Sequence, residues 1–288
     1  MTVADEHLKD LGGEVVERTI EGVGTLVFEN FEAGQWLTKK NEPAKKARRR
    51  YLLDGVEMDS VSSIVDTLSK PALVMWAEDH GARGAVEAME MGELEGVPIE
   101  EVVKHIRSLG LGAEAARDEG AERGQAIHAA FQTLAETGDA PKFSDYPKAW
   151  WPWVKGCARA WLTLDPEPID AEFMVVNPAM GYAGRPDLLC FSKGKRTLLD
   201  YKTGRGRIFE QAHYQTRGYA EAFEPCSIDP PDRIVIVGIG DDGGPPLLED
   251  SVVTPEDWAA LLRTYRSRKR VNAAISAAKA EARKAAAA

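Results

Sequence analysis

Residues 184–204, GRPDLLCFSKGKRTLLDYKTG, decide the fold of this chain. Two apolar runs rich in strand-forming residues flank Lys193 and Gly194, a pattern typical of two strands joined by a tight turn. If the loop is symmetric about this pair, Asp187 on the first strand lies opposite Asp200 on the second. The sequence therefore predicts a hairpin with two opposed carboxylates.

Two opposed carboxylates require a compensating charge. Directly opposed side chains have Cβ atoms about 4.5–5.5 Å apart, so two like charges destabilise the sheet. A divalent cation bound by both removes the repulsion, and hard oxygen ligands suit Mg²⁺ or Mn²⁺. Side chains alternate along a strand, so Asp200 and Lys202 share a face, where Lys202 can orient a water for attack on phosphorus. A surface salt bridge is the alternative for Asp200 and Lys202 alone, but the opposed Asp187 argues against it.

The G-x-P-D and D-Y-K-T-G elements resemble the core of the PD-(D/E)XK nucleases, specifically the RecB-like and bacteriophage exonuclease branch. Two further motifs of that branch occur in the family's order, R-G-x-x-x-H at residues 123–128 and Q-x-x-x-Y at residues 215–219. Residues 51–64 and 70–77 also resemble the amino-terminal part of phage exonucleases related to the CRISPR-associated iron–sulfur exonucleases. The resemblance covers about residues 50–240.

An α/β fold is indicated by the change of hydrophobic period along the chain, because strand-like segments after residue 172 are flanked by helical ones. The resemblance implies a restriction-endonuclease-like core, with a central mixed sheet between helices. Residues 13–31 predict an additional amino-terminal β-hairpin. We divide the chain into the hairpin with a basic linker (1–48), the nuclease domain (49–272) and an Ala/Lys/Arg-rich tail (273–288).

The resemblance also implies roles for individual residues. His128 and Asp187 would bind metal, Asp200 would bridge to it, the Tyr201 backbone carbonyl would complete the shell, and Lys202 would position the nucleophile. Glu172 matches the acidic residue that the family has on the strand before the G-x-P-D element, and it would be a metal ligand or support one. Gln215 and Tyr219 would hold the nucleophilic water, a phosphate or the strand ends. The alternatives are a solvated histidine, a strand-edge charge and ordinary helix packing.

The implied reaction is phosphodiester hydrolysis with one or two Mg²⁺ or Mn²⁺ ions. The three cysteines, Cys157, Cys190 and Cys226, lie far apart without a C-x-x-C spacing, so we expect buried thiols and no iron–sulfur cluster. The first ten residues lack the pattern of a secretory signal, and no long apolar run is present. We therefore expect a cytoplasmic protein without a membrane partner, in the host cytoplasm if phage-encoded.

Contacts to DNA must come from concentrated basic segments, because the formal net charge is −10. Residues 39–50 hold seven Lys or Arg against one Glu, and further basic residues occur at 193–207 and 263–270. The candidates are Lys45, Lys46, Arg48, Arg49, Arg50, Arg205 and Arg207. A solvated charged face is the alternative for each segment.

Three functions fit these features. The first is an exonuclease that resects double-stranded DNA ends in phage-type recombination, beside a single-strand annealing protein and compatible with a homo-oligomer. The second is a nucleic-acid-binding or assembly module of the same fold without catalysis. The third is a structure-specific endonuclease with the same catalytic core. Intact Asp187, Asp200 and Lys202 favour catalysis over the binding module.

The remaining expectations concern individual segments. Residues 172–177 and 182–191 each predict one continuous strand. A helix from Pro98 would place Ile99, Val102, Val103 and Ile106 on one packed stripe. The tryptophans at 150, 151, 153 and 161 are predicted to be core residues, and the tail after about Ala273 is predicted to fray.

Overall fold

The computed structural model describes residues 13–33, 35, 47–204 and 206–286. Lys45, Lys46 and Arg205 lie outside this part of the chain. The strands are β1 (Glu14–Ile20), β2 (Gly24–Phe31), β3 (Arg48–Leu53), β4 (Val56–Ser60), β5 (Pro166–Ala171), β6 (Val175–Asn177), β7 (Tyr182–Gly184), β8 (Leu188–Ser192), β9 (Lys195–Lys202), β10 (Arg233–Gly238) and β11 (Leu247–Asp250). The α-helices are α1 (Val61–Val65), α2 (Pro71–Glu90), α3 (Val102–Ser108), α4 (Ala113–Thr137), α5 (Trp151–Leu164), α6 (Glu210–Ala220) and α7 (Pro255–Ala286).

The strands form two mixed sheets flanked by helices, which confirms the predicted α/β class. One sheet has the order β1-β2-β3-β4-β7-β6 and the other the order β11-β10-β9-β8-β5. The predicted amino-terminal hairpin is present as β1 and β2, and β2 also pairs with β3. The hairpin is therefore hydrogen-bonded into the first sheet.

The two strands of the diagnostic stretch pair in the predicted register. Leu188 lies opposite Leu199, and Ser192 lies opposite Lys195. Lys193 and Gly194 have φ values of 53° and 75°, the left-handed conformation that a two-residue hairpin turn requires. The ladder continued by one pair puts Asp187 opposite Asp200.

The hydrophobic core lies on both faces of the β8–β9 pair. Leu189 and Leu198 belong to one apolar cluster, whereas Leu188 and Leu199 belong to another. Because side chains alternate along β9, Asp200 lies on the same face as Leu198, and Tyr201 lies on the opposite face with Leu199. The site therefore lies at the end of a strand whose preceding residues are buried on both faces.

Neither predicted strand is continuous: residues 172–177 form a strand only from Val175, and residues 182–191 are divided between β7 and β8. The chain leaves the second sheet after β5 and enters the first at β6, with Glu172 at a φ of 47° between them. It returns from β7 in the first sheet to β8 in the second across residues 185–187. A segment that passes from one sheet to another must break its hydrogen bonds to the neighbouring strand. The local pattern of apolar residues does not indicate the position of this break.

Three other expectations are wrong. Helix α3 begins only at Val102, so Ile99 lies before it at 88% exposure and Val103 is also exposed. Trp151 is exposed although Trp150 and Trp153 are buried, because successive helical positions point in different directions. Helix α7 continues to Ala286 rather than fraying after Ala273, which agrees with the high helix propensity of Ala, Lys and Arg.

The three cysteines are buried free thiols, as predicted. Among the described residues, no helix is both long and apolar enough to span a bilayer.

Candidate active site

Three of the predicted metal ligands lie together. Their donor atoms come from His128 on α4, Glu172 between β5 and β6, and Asp187 between β7 and β8, and all lie within 4.8 Å of one another. His128 Nδ1 is 3.6 Å from Glu172 Oε1 and 3.5 Å from Asp187 Oδ2. One helix and two sheet crossings therefore supply an imidazole and two carboxylates to a single point.

Helix α4 approaches this point closely because of a glycine. A Cβ atom at Gly124 would lie 3.2 Å from Thr203 Oγ1, just beyond the end of β9. His128 is one turn further along the same helix face. Ile127 and Phe131 beside it are buried in the second apolar cluster, which fixes the rotation of α4. The glycine therefore lets the helix carry the imidazole to the strand end.

Asp187 links the loop before β8 to both neighbouring segments. Its Oδ2 accepts a hydrogen bond from Tyr201 N at 2.7 Å, and its backbone carbonyl accepts one from Glu172 N at 2.9 Å. Burial alone would raise the pKa of the Asp187 carboxyl, but the charge and hydrogen bond of His128 outweigh it and hold this pKa below its usual value. Asp187 is therefore a carboxylate held ionised by its neighbours.

His128 responds to the same two acids. Burial opposes its charged form, but Asp187 and Glu172 outweigh burial and raise the pKa of the imidazole to about 10. Two carboxylates around one ring thus favour a positive charge at this point. A divalent cation would satisfy the same carboxylates with a neutral imidazole as a ligand.

Asp200 is fully buried and lies outside the three-residue cluster. Its Oδ2 forms an ion pair with Lys202 Nζ at 2.6 Å, and its Oδ1 has neither an ion pair nor a hydrogen-bond partner in the described part of the chain. Burial raises the pKa of Asp200, Lys202 opposes this, and Asp187 adds to it, for a pKa of about 6. Burial would lower the pKa of Lys202, but Asp200 and Asp187 outweigh it and raise that pKa.

A chain of hydrogen bonds connects Lys202 to helix α6. Lys202 Nζ donates to Gln215 Oε1 at 3.1 Å, and Gln215 Nε2 donates to Tyr219 OH at 2.7 Å. The structure thus brings together Asp200, Lys202, Gln215 and Tyr219. Gln215 and Tyr219 are four residues apart on one helix face, so both can reach the end of β9.

The main chain of Tyr201 faces the site, whereas its side chain does not. The ring stacks on Phe131 with 3.6 Å between centroids. The carbonyls of Arg196 and Lys202 accept hydrogen bonds from the β10 side, through Asp232 N and Ile239 N. The main-chain groups of the alternate residues of β9 point away from β10, and Tyr201 N donates a hydrogen bond to Asp187 on that side. The Tyr201 carbonyl therefore points toward the Asp187 side of β9.

Three of the described basic residues that were predicted to contact DNA pair with side chains of the first sheet. Arg48 and Arg50 form ion pairs with the buried carboxylate of Glu29, at 3.2 and 2.7 Å. Arg49 Nε donates to Asn30 Oδ1 at 3.3 Å, and Arg207 is exposed after β9. Three of the candidates are thus engaged within the first sheet.

The basic run on α7 also makes internal contacts. Arg266 and Arg268 donate to the backbone carbonyls of Met180 and Thr67, and Lys269 pairs with Asp59. This run therefore links α7 to the loops around the first sheet.

Sequence reasoning missed two residues of the G-x-P-D element. A Cβ atom at Gly184 would lie 2.4 Å from Tyr219 Cε1, so the glycine provides the space for the tyrosine ring. Arg185 Nε lies 3.0 Å from Glu172 Oε2. The only local signal for either residue is its place in the G-x-P-D element. Their partners lie far along the chain, because Tyr219 is 35 positions from Gly184 and Glu172 is 13 positions from Arg185.

Comparison with known proteins identifies the carboxyl-terminal half of the chain. Residues 146–287 match the family model of the PD-(D/E)XK nuclease superfamily. This segment is therefore similar to the PD-(D/E)XK nuclease superfamily domain. Members of this superfamily are generally metal-dependent nucleases, and the family implies binding of nucleic acid. The matched PD-(D/E)XK segment includes Glu172, Asp187, Asp200 and Lys202, whereas His128 precedes it.

A solved structure described as "Crystal structure of SSO0001" is 14% identical in sequence, with 74% of this chain and 75% of that chain covered and a TM-score of 0.35. The search of curated proteins gives no match.

Proposed function

We propose that this chain is a Mg²⁺- or Mn²⁺-dependent exonuclease of the RecB-like and phage branch, which hydrolyses phosphodiester bonds at duplex DNA ends. Its setting would be the cytoplasm, in phage-type recombination beside a single-strand annealing protein. The observation that carries this proposal is the cluster of His128, Glu172 and Asp187 next to the ion pair of the buried Asp200 with the half-buried Lys202.

The residues fit a divalent metal ion. Two carboxylates and an imidazole converge, and Asp200 Oδ1, without a hydrogen-bond partner among the described residues, supplies a further buried acceptor. Oxygen-rich sites with one imidazole suit Mg²⁺ or Mn²⁺. His128, Glu172 and Asp187 would hold the ion, with Asp200 and the Tyr201 carbonyl completing its ligands. When bound, the ion neutralises phosphate charge and lowers the pKa of a water.

Lys202 is the residue that would orient the nucleophile. Its ammonium group has three donors. The group forms an ion pair with Asp200 Oδ2 at 2.6 Å and donates a hydrogen bond to Gln215 Oε1 at 3.1 Å, which leaves a donor for a water or a phosphate oxygen. Asp200 and Asp187 keep the amine charged, and Tyr219 fixes the amide of Gln215. A held ammonium loses little freedom when substrate arrives, which is the condition for effective positioning.

The buried acids favour catalysis over a binding module of the same fold. Placing two carboxylates near each other without water costs free energy, and binding to the DNA backbone needs positive charge instead. The structure-specific endonuclease shares every residue of this site and differs only in the DNA that it accepts.

The test is digestion of end-labelled linear duplex and of closed-circular DNA, with Mg²⁺ and with EDTA. We expect degradation of the linear molecule from its ends, an intact circle, and no cleavage in EDTA. Asp200→Asn should abolish cleavage while duplex binding persists, and Lys202→Ala should abolish cleavage while Mn²⁺ binding persists. The exposed Asp118→Asn on α4 is the matched control and should behave as wild type.

Degradation by Asp200→Asn at the wild-type rate would contradict the metal assignment. Cleavage of the closed circle as fast as the linear molecule would favour the endonuclease.

A further inference from the structure

Arg185 connects the candidate metal centre to the amino-terminal hairpin. Its Nε donates to the Glu172 backbone carbonyl at 2.9 Å and lies 3.0 Å from Glu172 Oε2. Its Nη1 also forms an ion pair with Glu14 Oε1 on β1, at 3.2 Å. The guanidinium thus lies between two carboxylates that are far apart in sequence.

Glu172 needs an external support because of where it lies. It occupies the crossing between β5 and β6 with a φ of 47°, a conformation that non-glycine residues rarely adopt. Its backbone N–H is bonded to the Asp187 carbonyl, and its own carbonyl is bonded to Arg185. Arg185 also holds Oε2, so Oε1 is the carboxylate oxygen that faces His128 at 3.6 Å.

The hairpin in turn holds Arg185. Glu14 Oε2 accepts a hydrogen bond from Asn30 Nδ2 on β2, at 3.2 Å, while Oε1 faces the guanidinium. The carboxylate of Glu14 is therefore fixed between the two strands of the hairpin and Arg185. A planar guanidinium suits this task because it presents several donors in a rigid geometry.

We propose that Arg185 is a positioning residue that aims Glu172 Oε1 at the metal centre, and that Glu14 of the amino-terminal hairpin keeps Arg185 in place; this rests on the proposed function. The hairpin is then part of the support of the active site. A direct contact of Arg185 with a DNA phosphate is the competing role, and it is less favoured because the guanidinium already neutralises Glu172.

The chain offers a matched control in Arg18. Arg18 also reaches from β1 to this crossing, where Nη1 donates to the Met174 carbonyl at 2.8 Å and Nη2 lies 3.8 Å from Asp170 Oδ2. Its side chain is 31% exposed, against 24% for Arg185. Arg18→Met therefore removes a similar link between hairpin and crossing without removing a contact to Glu172.

The experiment compares wild type with Arg185→Met, Arg185→Lys, Glu14→Gln and Arg18→Met. Mn²⁺ affinity is measured by calorimetry without DNA, and kcat and KM are measured on linear duplex. Arg185→Met should lower Mn²⁺ affinity or kcat by about 10–100-fold, the usual effect of losing a residue that orients a ligand, with KM for DNA unchanged. Arg18→Met should leave Mn²⁺ affinity, kcat and KM at wild-type values.

Arg185→Lys and Glu14→Gln provide the test if Arg185→Met does not fold. Both should lower Mn²⁺ affinity or kcat less than Arg185→Met, because lysine keeps the charge and glutamine keeps an acceptor. Thermal unfolding of each variant checks the fold.

Three results would overturn the inference. A higher KM with unchanged kcat and Mn²⁺ affinity in the Arg185 variants would assign Arg185 to phosphate binding. Equal behaviour of Arg185→Met and Arg18→Met would assign it a purely structural role, and wild-type values in Glu14→Gln would remove the hairpin from the support. A wild-type protein that neither binds Mn²⁺ nor cleaves DNA would instead refute the proposed function itself.

Discussion

Gly184, the last residue of β7, is expected to control both stability and catalysis through the ring of Tyr219. An alanine Cβ at this position would lie 2.4 Å from Cε1 and 2.8 Å from Cδ1 of Tyr219. It would also lie 3.1 Å from Val61 Cγ2. Gly184→Ala therefore forces either the ring or the strand to move.

The size of the effect follows from these distances. Carbon atoms in contact are normally about 3.5–4.0 Å apart, so the ring must withdraw by about 1 Å. Tyr219 is only 6% exposed and Val61 is fully buried, so the shift must be taken up by neighbouring core residues rather than by movement into solvent. Overpacking of this kind costs about 1–3 kcal/mol in the free energy of unfolding.

The same movement should reach Lys202. Tyr219 OH accepts the 2.7 Å hydrogen bond from Gln215, whose amide oxygen holds Lys202 Nζ. A displacement of about 1 Å in a positioning group can lower the rate by about 100-fold. Gly184→Ala is therefore expected to lower kcat although it lies outside the set of charged residues.

The assay combines denaturant unfolding with single-turnover cleavage of linear duplex in Mg²⁺. Gly81→Ala on α2 is the control, because a Cβ there meets no atom within 4 Å, and it should be neutral or stabilising by up to about 1 kcal/mol. Tyr219→Phe keeps the ring and removes the hydroxyl, so it measures loss of the hydrogen bond alone. Wild-type stability and rate in Gly184→Ala would refute the packing argument, and lost stability with an unchanged rate would refute the connection to Lys202.

Three further predictions concern charge. Arg50→Ser should destabilise the fold by about 1–3 kcal/mol in denaturant unfolding, because it leaves the buried Glu29 carboxylate with fewer hydrogen bonds. Replacing Lys45 and Lys46 by Ser should weaken duplex binding and flatten the dependence of log K on log salt by up to ~0.9 per lost phosphate contact. An unchanged slope would show that the basic segment 39–50 is a solvated linker. Thr254 caps α7, and its N–H and hydroxyl hold the pKa of Asp257 below its usual value. A carboxyl whose pKa is lower in the folded state stabilises the fold at a pH above its unfolded-state pKa of about 3.9, and this stabilisation is lost as the pH falls through the folded-state pKa. The Tm should therefore fall less between pH 5 and pH 2 in Asp257→Asn than in wild type. Equal decreases in Tm would contradict this.

The hairpin of β8 and β9 was predictable because its determinants are local. Alternation along each run sets the faces, and a turn centred on Lys193 and Gly194 sets the register, so the opposition of Asp187 and Asp200 follows from sequence. The helix of His128 was predictable for a similar reason, because Ile127 and Phe131 recur with the helical period and Gly138 ends it. The resemblance to PD-(D/E)XK nucleases then implied which polar residues form the site.

The interaction partners of the basic segments could not be predicted from the sequence, because a run of positive charge can pair either with DNA or with acidic side chains of the same chain. Arg48 and Arg50 look like DNA contacts in a run of seven cations, yet Glu29 lies buried across the β2–β3 pair between them. Their side chains could be assigned only after the register of those two strands was known.

The sequence by itself determined the α/β class, the central hairpin with its register and the set of residues that resembles a nuclease site. Only the tertiary structure decided that Glu172 sits at a crossing between two sheets, that Gly184 makes room for Tyr219, and that Arg185 connects Glu172 to Glu14. The physical reason is distance along the chain. Period and turn chemistry act over a few residues, whereas these contacts join segments whose approach is set by the packing of both sheets and their helices.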